Sequence, residues 1–176
     1  MKKLLIVVDY QNDFVDGALG FDGAELLDGP ICAKIEAYRA EGAEVVCTLD
    51  THAAAPEYLE TSEGRNLPVP HCERGTHGWQ LYGRTAELLE GARRFDKPSF
   101  GCTDLIAFLQ KGAYDQVELC GLVSNICVVS NAIIAKAALP EARVVVDSAC
   151  TASFDAEANE AALKVMESVQ ISVLRD

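Results

Sequence analysis

No stretch of this sequence approaches the roughly 20 consecutive apolar residues that a bilayer-spanning helix needs, which argues against a membrane helix. Positive charge is also scarce: 15 Lys and Arg stand against 27 Asp and Glu, a net −12 at pH 7. Such a balance repels phosphate backbones and anionic lipid, so nucleic acid and membrane surfaces are poor partners. The cysteines Cys32, Cys47, Cys72, Cys102, Cys120, Cys127 and Cys150 never adopt a CxxC spacing. An odd, scattered set suits neither a disulfide framework nor a thiolate zinc site and implies a reducing, cytoplasmic setting. In the opening "MKKLLIVVDY", Asp9 interrupts the apolar run too early for a secretory signal. There is no internal repeat, low-complexity tract or linker, so one domain over residues 1–176 is expected.

What the chain does have is alternation. "KLLIVVD" (3–9) is the continuous apolar run of a strand buried on both faces. A helix follows from about Leu27 to Glu41, with Asp28 as its cap, and "AEVVCTLD" (43–50) reads as the second strand. His52 to Gly83 reads as a long polar loop with little regular structure, a kind of segment that is usually functional or disordered. Then come a strand at 92–99 and a helix at 103–112 with Thr103 as cap and Gly112 as stop. A strand at 115–121 and a helix at 126–138 follow. The chain closes with a strand at 142–149, a helix opened by Asp155 and a strand at 169–174. This order predicts a three-layer α/β/α fold around a mostly parallel sheet of five to six strands.

Ligands of such sheets bind beyond the carboxyl ends of the strands. Four strands lead there to a reactive group: Asp9, Asp50, Lys97 and, on the turn "GLVSNICV", Cys127. A thiol at a helix N-terminus meets the positive end of the helix dipole and unpaired N–H groups, which favour thiolate. A nearby lysine adds to that effect, a carboxylate can take the proton, and the N–H groups can stabilise an oxyanion. Each residue alone has a plainer explanation. Free cysteines are commonly core residues, and an aspartate closing a strand often caps the next turn. A lysine there is ordinarily solvated. Their arrival at one sheet end is what points to a nucleophile built to attack a carbonyl carbon.

A second group sits in the long loop. Asp50 and His52 in "LDTH" and His71 in "NLPVPHC" offer a carboxylate and two imidazoles, a donor set for Zn²⁺, Mn²⁺ or Fe²⁺, with Glu60 or Glu63 as a further ligand. Histidines in polar loops are also commonly just solvated, which is how His77 reads.

Together "VVDYQNDF", "DTH…PVPHC", "DKPSFGCTDL" and "GLVSNICV" resemble the isochorismatase-like cysteine hydrolases, over nearly the whole chain and in the family's order, and within it the nicotinamidase branch. The resemblance implies an Asp9–Lys97–Cys127 triad. It also implies a cis peptide between Leu122 and Val123 that turns the N–H groups of Val123 and Cys127 toward the substrate oxygen. It implies a divalent metal, zinc first, on Asp50, His52 and His71, with Glu63 the better placed glutamate, and Phe14 as a wall of the ring pocket. Two residues depart from the pattern. Leu67 and Pro68 stand where an aromatic often precedes the "PxHC" histidine, and Asn125 replaces an acidic residue. Both bear on substrate choice.

The implied activity is hydrolysis of a small carboxamide, nicotinamide foremost, to the acid and ammonia through a thioester, by a homodimer or homotetramer. The helix 126–138 is apolar on more than one face, which suits burial on more than one side. Hydrolysis of another small amide or carbamoyl compound is the alternative within the family. Isochorismatase-type ether cleavage fits less well, since it does not generally rely on a cysteine nucleophile. From another class, a receiver-like or scaffold module would lack use for Cys127, and no acidic pair follows the first strand.

Overall fold

The computed structural model describes residues 1–175. Strand β1 (Lys3–Val8) is buried on both faces, which is why its sequence is an unbroken run of Leu, Ile and Val rather than an alternating one. It pairs with β2 (Glu44–Asp50) on one side and β4 (Gln116–Leu122) on the other. With β3 (Arg93–Lys97), β5 (Arg143–Ala152) and β6 (Ser172–Leu174), the described residues form a six-stranded sheet of order β3-β2-β1-β4-β5-β6, parallel throughout.

Leu4, Ile6 and Val8 face α6 (Asp104–Gly112), α7 (Val129–Ala138) and α8 (Ala156–Ser168), meeting Leu109, Ala135 and Met166. Leu5 and Val7 face the other way, against Ile31, Ile35 and Tyr38 of α2 (Asp28–Ala40). This is the expected α/β/α layering. The chain winds outward from β1 to the β3 edge, then returns to β4 beside β1. That reversal opens a crevice beyond the carboxyl ends of β1 and β4. Among the described residues no helix is long and apolar enough to cross a membrane.

Several local expectations differ from the structure. The segment from His52 to Gly83 is not structureless. It carries α3 (Ala55–Leu59) and α4 (Ser62–Asn66) and leads into α5 (Gly83–Leu88). The first two helices have only five residues each, too short for an amphipathic period to register. The one-turn helix α1 (Asn12–Val15) escapes for the same reason. Asp28 does not cap α2. Its carboxylate accepts from the amides of Arg84 and Thr85 at 3.0 and 2.9 Å and so caps α5, distant in sequence. Thr103 makes no side-chain cap, and the left-handed residue ending α6 is Ala113, not Gly112. Asp155 does cap α8, accepting from Ala158 N at 2.9 Å. The β5 strand runs on to Ala152, because the ladder with β4 shifts register between Leu119 and Gly121.

Gly121 shows why that shift sits there. Its φ is +110°, and a Cβ at this position would lie 2.0 Å from the carbonyl oxygen of Val8 on the neighbouring strand. Only glycine combines that dihedral with so close a backbone approach. Gly121→Ala should therefore destabilise the fold by about 3 kcal/mol or more, strain and clash combined. Urea unfolding of the two proteins checks this, and equal midpoints would contradict it.

Candidate active site

The register of the sheet alone brings part of the site together, since Asp50 and Lys97 are opposed residues at the ends of β2 and β3. Asp9 follows β1 directly with φ +44°, a left-handed conformation that aspartate tolerates better than most residues. Its amide donates to Thr48 O at 3.2 Å, and its Oδ1 accepts from Thr48 Oγ1 at 2.6 Å. Cys127 comes from beyond β4. After the cis peptide between Leu122 and Val123, residues Ser124–Val128 form a π-turn in which Val128 N donates to Val123 O at 3.1 Å. The expected helix at 126 is thus preceded by a wider turn, a feature that α-helical periodicity does not reveal.

Lys97 is the hub. Its ammonium lies 2.7 Å from Asp9 Oδ2, 3.1 Å from Asp50 Oδ1, 3.5 Å from Cys127 Sγ and 2.9 Å from Ser99 O, with the side chain only 1% exposed. The sequence expectation of a triad thus finds its three residues in one buried contact.

The charge states follow from this geometry. Burial works against the Lys97 ammonium, but the charges of Asp9, Cys127 and Asp50 more than reverse it and hold its pKa above the ordinary lysine value. Burial raises the Asp9 carboxyl above its usual value, against the pull of Lys97. Cys127 is pushed well above an ordinary thiol by burial first and the Asp9 charge second; Lys97 opposes both without overcoming them. Burial thus disfavours the standing thiolate that the helix-dipole argument anticipates.

The second cluster is continuous with the first. Asp50 Oδ2 is 3.0 Å from His52 Nε2 and 3.4 Å from His71 Nε2, while Glu63 Oε1 lies 3.7 and 3.8 Å from the same nitrogens. One donor atom from each of Asp50, His52, Glu63 and His71 falls within a 4.8 Å group. His71 Nδ1 is 2.8 Å from the Val69 carbonyl, which places a proton there and leaves Nε2 facing the group. Two imidazoles and two carboxylates suit zinc or another borderline divalent ion. Among the described residues Glu60 is outside this cluster, its side chain exposed. The exposed His77 is outside it too, tied through its backbone to Asn12 at 2.7 Å.

A cavity of about 430 Å³ opens from Cys127, with Phe14, Val123, Asp50, Glu63 and His71 in its walls. Leu67 lines it as well, whereas Pro68 is exposed and Asn125 is not in its wall.

Several supporting residues escaped the sequence reading. Gln11 clamps the Asp50 backbone, accepting from its amide at 2.7 Å and donating to its carbonyl at 2.9 Å. Tyr58 packs its ring on His52 and His71 at 4.9 and 5.4 Å. Asn131 donates to Cys127 O at 2.8 Å and to Phe100 O at 3.1 Å, and accepts from Cys102 N at 2.8 Å. It thereby fastens the loop after Lys97 to the cysteine turn. Gln11 had a signal, its place two residues after Asp9. Tyr58 and Asn131 had none.

Comparison with known proteins points to one family. The family profile described as Isochorismatase domain matches residues 3–175. The nicotinamidase/pyrazinamidase of Mycobacterium tuberculosis is 29% identical over 188 residues, 98% of each chain. The crystal structure of the nicotinamidase/pyrazinamidase PncA from Bacillus subtilis superposes with a TM-score of 0.89 at 31% identity, covering 99% of this chain and 100% of that one. The pyrazinamidase of Pyrococcus horikoshii, solved in complex with zinc, has the same fold with a TM-score of 0.85 at 24% identity over the whole of both chains. With a family profile spanning nearly all of it, this chain belongs to the isochorismatase family.

Proposed function

We propose that this chain is a cysteine amidohydrolase that cleaves a small carboxamide, nicotinamide foremost, to the acid and ammonia. The observation that carries the reading is the buried Asp9–Lys97–Cys127 contact opening onto a cavity walled by a metal-ligand set. Similarity to proteins named as nicotinamidases adds to it.

The chemistry follows from the charge states. Asp9 takes the Cys127 proton as sulfur attacks the carboxamide carbon, so a C–S bond forms and the carbonyl oxygen becomes an oxyanion. The N–H groups of Val123 and Cys127 are the proposed donors to that oxygen. Lys97 stabilises the thiolate as it appears. Collapse breaks the C–N bond, and the proton on Asp9 goes to the departing nitrogen, releasing ammonia. Water then attacks the thioester, Asp9 takes its proton, and the acid leaves with the thiol restored. Phe14 packs against the substrate ring. A divalent ion on Asp50, His52, His71 and Glu63 would supply a Lewis acid for a ring nitrogen, and the two carboxylates would balance its charge.

Wild-type protein should release ammonia from nicotinamide, with Cys127→Ala lowering kcat by at least ~10³-fold; an unchanged rate would remove Cys127 from the mechanism. His71→Ala should lose most of the bound divalent metal measured by plasma mass spectrometry, and full retention would sink the proposed ligand set. The pH profile gives a third check. Asp9 acts only when ionised, so kcat/KM falls as pH drops through its pKa, which lies above the ordinary 3.8. The Thr48 hydroxyl lowers that pKa, so Thr48→Val should move the acid limb to higher pH. A limb moving the other way would show that Asp9 is not the base.

A further inference from the structure

The cavity holds more than one small ring. A cavity of roughly 150 Å³ lined by apolar side chains takes up benzene, whereas about 430 Å³ is open here. A single ring with its carboxamide would leave a large part of it empty. Its polar side chains are Asp50, Glu63, His71 and the Cys127 thiol, and among the described residues no lysine or arginine lines it. The cation beneath, Lys97, is 1% exposed and already paired with Asp9 and Asp50. Asp50, Glu63 and His71 belong to the proposed metal-ligand set, so with an ion bound the wall left to the rest of a substrate is apolar.

The apolar lining is where the spare room has a purpose. Leu67, Leu19, Ile126, Phe100 and Phe154 contribute to it, and the last two are 43% and 64% exposed. Two aromatic rings left so far in water beside a cavity form a surface that an apolar ligand group would cover. Leu67 is held firmly for this task. Its amide donates to Glu63 O at 2.8 Å, and its carbonyl accepts from the Tyr58 hydroxyl at 2.8 Å.

We infer that the site favours aromatic carboxamides carrying an apolar substituent on the ring and that Leu67 admits the substituent. This rests on the amidase reading, and two separate measurements keep the two distinguishable. Binding is read by titration calorimetry on metal-loaded Cys127→Ala protein, which needs no turnover. Ammonia release is read on wild type. Ring-phenylated nicotinamide should bind roughly tenfold tighter than nicotinamide. Adding Leu67→Trp should cut the phenyl preference by roughly tenfold. Phe154→Ala, at an exposed position where folding is not at stake, should cut it by about threefold. Equal binding of the phenylated and plain amides, or a preference unmoved in both variants, would overturn the inference. The predicted binding pattern without ammonia release would uphold the selectivity and overturn the amidase reading.

Discussion

A single buried ammonium organises the site. Lys97 lies beneath it with its side chain 1% exposed, and burying an unpaired charge there would cost several kcal/mol. It is tolerable only because anions come to it from other strands: Asp9 at 2.7 Å from the end of β1 and Asp50 at 3.1 Å from the end of β2. The parallel ladder does half of this work, since Asp50 and Lys97 are register partners. The ends of three strands are thus fixed by one electrostatic requirement, and Cys127, arriving at 3.5 Å from beyond β4, enters a field already set.

Asp50 then joins the two parts of the site. Its Oδ1 faces the ammonium and its Oδ2 faces the imidazoles of His52 and His71. Those partners hold its pKa below the ordinary value despite burial, so it stays ionised across the working range. The Lys97 ammonium and the donor group that could hold a metal are therefore on opposite sides of one carboxylate. Neither part can be rearranged alone. Gln11 grips the Asp50 backbone at both amide and carbonyl, which fixes the main chain of a carboxylate that has partners on both sides.

The sheet and the meeting of Asp9, Asp50 and Lys97 at one end of it were legible in the sequence because both follow simple periods. Apolar runs bounded by Asp9, Asp50 and Lys97 are strands, and strand ends in parallel sheets face one crevice. The family pattern added the Leu122–Val123 cis peptide, which the structure contains. What the sequence concealed depends on contacts between distant residues. Asp28 reads as a local helix cap and instead caps α5, since nothing in a linear pattern records which N-terminus a carboxylate meets. Tyr58 reads as a loop aromatic, yet it is 1% exposed against two histidines, because α3 and α4 are too short to announce themselves. The wide turn at Ser124–Val128 was hidden inside an apolar stretch that suits any helix.

The protonation of the thiol is the point where the structure changes the chemical picture. A helix N-terminus and a lysine both argue for a standing thiolate, but the pull of Lys97 does not outweigh burial beside Asp9. Burial raises Asp9 and Cys127 together, so the proton sits between two groups neither of which holds its charge easily. Lys97 lowers the cost of either anion. In the proposed mechanism the nucleophile is then generated only as the bond to carbon forms, within a cavity whose walls are mostly apolar. A thiol kept neutral until that moment resists oxidation and adventitious alkylation, which both act on the thiolate. The same dryness that delays ionisation strengthens the pull of Lys97 once it occurs.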